Sequence, residues 1–151
     1  MDLILWRHAE AEDSAPDLAR ALTAKGHKQA RRMADWLDSQ LPEGCKIIVS
    51  PAVRTLQTVE PLGRKFKVVN AIAPDAAPEA VLQAANWPNG NQAVLVVGHQ
   101  PTLGQVAALL MTGQPLYWDM KKASAWWFVQ REPKDPQSVY LKAVMTAEMV
   151  K

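Results

Sequence analysis

The chain has 151 residues, of which 48% are hydrophobic and 21% are charged, as is typical of one globular domain over residues 1–151. Seventeen basic and fifteen acidic residues give a net charge of +2, which is too small to indicate nucleic-acid binding. The single cysteine excludes an intramolecular disulfide and a cysteine metal cluster.

Six apolar runs predict strands, and periodic apolar stripes between them predict helices. The strands are expected at 3–6, 47–49, 66–69, 93–97, 125–130 and 139–145. The first helix is expected over 22–41 with Thr23 as its N-cap, and the second begins at Ser50-Pro51 and is kinked or ended by Pro61. The third is expected over 78–85, and the fourth over 101–111 with Gly113 as its stop.

Strands that alternate with helices favour an α/β fold, a three-layer α/β/α sandwich around a mostly parallel sheet. The turn-rich segment 131–138 predicts a final hairpin, which would make the sheet mixed. No lid domain is expected. The first run, at 3–6, starts too early to follow a leader and is too short to span a membrane. We therefore expect a cytoplasmic monomer with no membrane association.

Three polar signals follow three of the predicted strands at their carboxyl ends. Arg7 and His8 follow the first strand, Arg54 lies one turn into the helix after the second, and His99 follows the strand at 93–97. Ligands of open parallel sheets bind at this edge, where chain and helices part. If the three strands are neighbours, two arginines and two histidines meet at one point.

These residue types together suit phosphoryl transfer. The arginine guanidinium binds phosphate oxygens with two parallel hydrogen bonds and stays charged at any working pH. A neutral histidine attacks phosphorus when its other ring nitrogen is held by a hydrogen bond. A hydrolase with a metal ion on His8, His99 and a carboxylate is a rival, but metal-ligand spacings are missing and arginines repel cations. No metal or cofactor is expected.

The motifs around these residues resemble a known family. LILWRHAEAE (3–12), SPAVRTLQT (50–58) and VVGHQPTLG (96–104) resemble, in order and spacing, the three motifs of the histidine phosphatase superfamily (phosphoglycerate mutase-like). RALTAKGHKQA (20–30) resembles the matching segment of its SixA-type branch, the protein phosphohistidine phosphatases. The chain departs from the usual superfamily pattern at Ala9, where glycine is common and alanine is the smallest alternative.

The resemblance implies a role for each matching residue. His8 would carry the phosphoryl group, Arg7 and Arg54 would clamp it, and His99 would hold a phosphoryl oxygen in the transition state. Arg20 is a further residue that this branch places beside the site.

The general acid is open at this stage. Superfamily members often use a carboxylate from mid-chain, and the corresponding stretch PDAAPEA (74–80) offers Asp75 first and Glu79 second. For either residue, a solvated acidic side chain in a loop is as good an interpretation as a general acid. An imidazole leaving group, whose conjugate acid has a pKa of about 6.5, also needs less help from an acid than an alkoxide does.

The short connection between the second and third motifs leaves no room for a roof over the site, so an open site is expected. The resemblance then implies a phosphatase that removes the phosphoryl group from phosphohistidine on a partner protein, a phosphotransfer domain or phosphocarrier, through phospho-His8. The alternatives are a phosphatase of small phosphoesters on the same scaffold and a non-catalytic phosphate-binding module.

Overall fold

The computed structural model describes residues 1–151, which form one six-stranded sheet in the order β3-β2-β4-β1-β5-β6. The strands are β1 (Asp2–Arg7), β2 (Lys46–Val49), β3 (Lys67–Val68), β4 (Val94–Gly98), β5 (Ala125–Gln130) and β6 (Val139–Met145). The first four are parallel, whereas β5 runs antiparallel to both β1 and β6. The predicted mixed sheet with its final hairpin is therefore confirmed.

Four α-helices and four one-turn 3-10 helices connect the strands. The α-helices are α1 (Ala24–Gln40), α2 (Val53–Val59), α3 (Pro78–Ala84) and α4 (Thr102–Thr112). The 3-10 turns are Asp17–Ala19, Glu60–Leu62, Asn70–Ile72 and Pro136–Ser138. None of the helices is long and apolar enough to cross a bilayer.

Two hydrophobic cores lie on opposite faces of the sheet. Alternate side chains of β1 enter opposite cores: Ile4 and Trp6 join a cluster of 19 buried residues, and Leu3 and Leu5 join a cluster of 13. Residues of α1 and α2 pack into the first cluster, and residues of α3 and α4 pack into the second. This arrangement confirms the predicted three-layer α/β/α sandwich without a lid domain.

The helix starts show one prediction confirmed and one wrong. Thr23 caps α1, since its side-chain oxygen accepts from the Gly26 amide at 2.9 Å. Ser50, by contrast, does not cap α2, which begins three residues later at Val53 and has no side-chain cap. The Ser50 hydroxyl is used instead in a contact to His99, across 49 positions of sequence.

The strand order brings three carboxyl ends to one edge of the sheet. β2, β4 and β1 are consecutive neighbours, and the backbone bonding continues one step beyond the strands. The His8 amide donates to the Gly98 carbonyl at 3.0 Å, and the Ser50 amide donates to the Val97 carbonyl at 3.1 Å. The residues after these strands are therefore held rigidly side by side.

Candidate active site

Arg7, His8, Arg54 and His99 converge at this edge and are largely withdrawn from solvent. Arg7 ends β1, His8 follows it, Arg54 lies in the first turn of α2, and His99 directly follows β4. The ring centroids of His8 and His99 are 5.3 Å apart. His8 is 8% exposed, Arg54 is 4% exposed and His99 is 3% exposed.

The His8 ring is oriented by its own backbone neighbourhood. Its Nδ1 lies 2.8 Å from the Ala9 carbonyl oxygen. A carbonyl only accepts, so Nδ1 carries the proton and donates it, which leaves the lone pair on Nε2. Nε2 makes no hydrogen bond, and it is not one of the polar atoms sealed from solvent. His8 therefore has the tautomer of a nucleophile that attacks through Nε2.

The environment keeps the His8 ring neutral. Burial foremost, and then the positive charges of Arg54, Arg7 and Arg20, lower its pKa to about 4, against the raising effect of the Ala9 hydrogen bond. At neutral pH the ring is therefore uncharged, with its one proton on Nδ1.

His99 is held by Ser50. The Ser50 Oγ lies 2.6 Å from His99 Nε2, and the hydroxyl has no other side-chain or backbone acceptor. The hydroxyl therefore donates to Nε2, which places the ring proton on Nδ1. Burial, followed by the charges of His8 and Arg54, lowers the pKa of His99 to about 3. The result is a neutral ring with a donor at Nδ1.

Each arginine is anchored through its terminal nitrogens. Arg7 Nη1 donates to the Met120 carbonyl at 2.7 Å, and Arg54 Nη1 donates to the Asp17 carbonyl at 2.8 Å. Burial lowers the pKa of Arg7, a shift that Asp119 partly opposes, but a guanidinium still stays charged. These anchors fix the direction of both side chains.

Three buried polar side-chain atoms of the chain lack a hydrogen-bond partner, and all three are nitrogens of this site. They are Nε of Arg7, Nε of Arg54 and Nδ1 of His99. Buried donors are nearly always paired in folded proteins, so their concentration at one point favours binding of an anion.

Asp17 is a residue that the sequence reasoning missed. Its carboxylate contacts Arg54 Nη2 at 3.2 Å and Arg20 Nη1 at 3.1 Å, and it lies in the 3-10 turn before Arg20. These bonds, the one from Arg20 foremost, lower its pKa, so the group stays ionised. Arg20 is close enough for its charge to lower the pKa of both histidines. The only sequence signal was the three-residue spacing of Asp17 and Arg20.

The structure does not bring Asp75 or Glu79 into hydrogen-bonding contact with the four residues. Both side chains are exposed, in the loop before α3 and in its first turn. Asp75 adopts the left-handed conformation, with φ of 68°. The loop borders the site edge, because Thr102 Oγ1 of α4 donates to the Ala76 carbonyl at 2.6 Å. A general acid at either position stays a prediction.

The residues present do not make a metal site. Nowhere in the chain do three His, Cys, Asp or Glu side chains come together in a group that could hold a metal ion. At the candidate site the two histidines stand between arginines, whose charge disfavours a cation.

Known proteins resemble this chain in sequence and in structure. The family model described as histidine phosphatase superfamily (branch 1) matches residues 3–77. Phosphohistidine phosphatase SixA of Escherichia coli (strain K12) is 34% identical over 124 residues, which cover 76% of each chain. A SixA homologue of Haemophilus influenzae is 32% identical over 126 residues, which cover 73% of this chain and 77% of that protein.

Solved structures agree with this relationship. The protein histidine phosphatase SixA complexed with tungstate superimposes with a TM-score of 0.80 at 28% identity, and the match covers 100% of both chains. A second structure, from Agrobacterium tumefaciens, has a TM-score of 0.78 at 22% identity and shows the same fold over 96% of this chain and 97% of that one. The chain therefore belongs to the histidine phosphatase superfamily as a SixA-like phosphatase, which confirms the family and the enzyme class predicted from its three motifs.

Proposed function

We propose that this chain removes the phosphoryl group from a phosphohistidine side chain on a partner protein, through a covalent phospho-His8 intermediate. One observation carries the proposal: His8 is a neutral histidine with a free Nε2 that lies among arginine charges. The carboxylate bound to the site, Asp17, is kept ionised by its arginine partners, and no carboxylate makes a hydrogen bond to His8. The relatives named phosphohistidine phosphatase SixA support it, as does the SixA structure complexed with tungstate, a tetrahedral oxyanion like phosphate.

In the first step His8 Nε2 attacks the phosphorus of the substrate phosphohistidine. A bond forms between Nε2 and phosphorus while the substrate's nitrogen–phosphorus bond breaks, and its electron pair returns to the departing imidazole. The proton stays on Nδ1, where it donates to the Ala9 carbonyl, and this hydrogen bond stabilises the positive charge that develops on the His8 ring. Arg7, Arg54 and the Nδ1 donor of His99 stabilise the negative charge on the phosphoryl oxygens.

In the second step water attacks the phosphorus of phospho-His8. The Nε2–phosphorus bond breaks, its electron pair returns to the ring, and inorganic phosphate leaves as H2PO4⁻ with the oxygen and both protons of that water. His8 ends as the same neutral tautomer in which it began, because its own proton stays on Nδ1, held by the hydrogen bond to the Ala9 carbonyl. The enzyme is therefore ready for another turnover without a cofactor.

The leaving group distinguishes phosphohistidine from an alcohol ester. An alkoxide needs a proton from a positioned acid, whereas an imidazole, with a conjugate acid of pKa about 6.5, can be protonated before the bond breaks. Asp17 is the carboxylate bound to the site, and its two arginine partners keep it ionised, so it is a poor acid. The site thus favours a nitrogen leaving group.

We further propose that the enzyme works as a cytoplasmic monomer on a phosphotransfer domain or phosphocarrier. The site lies at a sheet edge without a lid domain, which suits a phosphorylated side chain displayed on a second protein.

A quenched single-turnover assay tests the mechanism. A histidine-containing carrier domain labelled with ³²P by phosphoramidate is mixed with the wild-type enzyme or with His8→Ala, and label is followed on both proteins. The expected result is transient, acid-labile label on the wild-type enzyme and none on His8→Ala, followed by release of phosphate from the wild-type reaction. His99→Gln serves as the matched control, because it keeps His8 and should form the label more slowly.

Other outcomes assign other functions. Turnover of p-nitrophenyl phosphate with no loss of label from the carrier would make the chain a phosphatase of small phosphoesters. Binding of the labelled carrier without turnover of either substrate would make it a phosphate-binding module.

A further inference from the structure

We propose that the exposed cationic face of α1, together with Lys121 and Lys122, docks an acidic surface of the protein that delivers the phosphohistidine. We call this area the basic surface and define it by Lys25, Lys28, Arg32, Lys121 and Lys122. The inference rests on the proposed function, since it names the chemistry of the partner of the same site.

Two adjoining grooves connect the basic surface to the candidate active site. The first, of about 550 Å³, is lined only by charged and polar residues, among them Arg7 of the site, Lys25, Lys121 and Lys122. The second, of about 210 Å³, is shared with the first at Lys25 and continues along α1 past Lys28 and Arg32. A protein that reaches Arg7 from this side would therefore lie against α1.

Charge is segregated onto these grooves. Their linings contain six basic side chains, including Arg7, and three acidic ones, a net of +3. The whole chain carries a net charge of +2, so all remaining residues together carry −1. The net positive charge of this protein is thus concentrated beside the candidate site. Such a charge distribution steers a negatively charged partner toward the site.

Three cations of the basic surface have no internal partner. Lys121 pairs with Glu148 at 3.1 Å, and Lys122 lies 3.9 Å from Glu10, so the carboxylates Glu148 and Glu10 are engaged. Lys25, Lys28 and Arg32 take part in none of the ion pairs of the chain, and all three are exposed. An isolated protein gains nothing from three unpaired cations in one stripe, but an acidic partner would neutralise them.

The depth of the site requires a protein surface to come close to these cations. His8 is only 8% exposed, so a phosphorylated side chain must enter the edge of the sheet while its own backbone stays at the rim. The partner residues around that side chain then face the grooves. Because the grooves carry +3, carboxylates at those partner positions are the complementary chemistry.

A pair of charge-reversal variants tests the proposal. K28E/R32E reverses two cations of the basic surface that do not line the groove shared with Arg7. R131E/K134E is the control: it makes the same two substitutions, in the turn between β5 and β6 at the opposite end of the sheet. Both variants are assayed with a phosphorylated carrier domain of acidic surface, with the same domain carrying Gln and Asn for its acidic residues, and with free phosphoramidate.

The K28E/R32E variant should lose roughly tenfold in kcat/KM toward the acidic carrier at low ionic strength, as expected when rim charges that steer association are reversed. The loss should shrink to about twofold in 1 M salt, where the screening length is about 3 Å. K28E/R32E should show no such loss with phosphoramidate or with the Gln/Asn carrier. R131E/K134E should show no such loss with the acidic carrier.

An unchanged kcat/KM of K28E/R32E toward the acidic carrier would overturn the docking proposal while leaving the proposed function intact. So would an equal loss in the control variant. Failure of the wild-type enzyme to dephosphorylate either carrier, while it hydrolyses phosphoramidate, would instead refute the proposed function. Salt-sensitive binding of RNA or of anionic vesicles that K28E/R32E abolishes, without an effect on the carrier, would assign the surface to those polyanions and overturn the assignment to a protein.

Discussion

The two buried histidines predict a specific dependence of stability on pH. Burial and the neighbouring positive charges lower the pKa of His8 to about 4 and that of His99 to about 3, from ordinary values of 6.5. Between those values the unfolded chain binds protons that the folded chain does not. The free energy of unfolding therefore falls as pH drops below about 6.5, and each contribution is fully present only above that pH.

The size of the effect at pH 5 depends little on the exact folded values. Both lie well below 5, so the loss from pH 7 to pH 5 is set by the 1.5 units between pH 5 and an unfolded pKa of about 6.5. At 1.36 kcal/mol per unit, each histidine costs about 2 kcal/mol of stability. Exposures of 8% and 3% leave little solvent screening that would reduce this figure. Asp17, whose pKa is lowered from 3.8, titrates below this window.

Urea unfolding at pH 7 and at pH 5 measures the prediction. His8→Asn keeps a donor for the Ala9 carbonyl and His99→Gln keeps a polar contact to Ser50. Each variant should lose about 2 kcal/mol less than the wild-type chain between the two pH values. A wild-type-like pH dependence in both variants would refute the reasoning, because it would mean that the rings titrate normally in the fold.

Three further predictions concern the site, the packing and the absence of a metal. Ser50→Ala removes the hydrogen bond that sets the His99 tautomer, so kcat should fall roughly tenfold while the circular dichroism spectrum stays unchanged. An unchanged kcat would contradict that role of Ser50. Gly26→Ala would place a Cβ 2.0 Å from the Glu10 carbonyl oxygen, whereas at Gly44 nothing lies within 4 Å. We expect Gly26→Ala to lower the free energy of unfolding, measured in urea, by about 2–4 kcal/mol and Gly44→Ala to change it by about zero. Equal effects of the two substitutions would contradict the close approach of Gly26 to Glu10. Excess EDTA should leave the phosphatase rate unchanged, since no three metal-ligating side chains come together, and a rate restored by added Zn²⁺ or Mg²⁺ would show the opposite.

The chain order of strands and helices was predictable because local patterns encode it. The run at 3–6 and the alternation at 139–145 became β1 and β6, and Thr23 capped the long helix as its spacing indicated. Ser50 was misread because the dipeptide Ser50-Pro51 has the local signature of a helix start. The hydroxyl bonds His99 instead, at 2.6 Å, and no local pattern reports a partner 49 residues away.

The sequence by itself determined the family, the α/β class and the three strand ends at which Arg7, His8, Arg54 and His99 stand, since these follow from short-range periodicity and from motifs. The tertiary structure decided what those residues are chemically. The Ala9 carbonyl sets the His8 tautomer, burial lowers the pKa of both histidines, and the Asp17 carboxylate forms an ion pair with Arg54. Tautomers, pKa values and charge segregation depend on solvent exclusion and on neighbours distant in sequence, and only the folded chain brings those together.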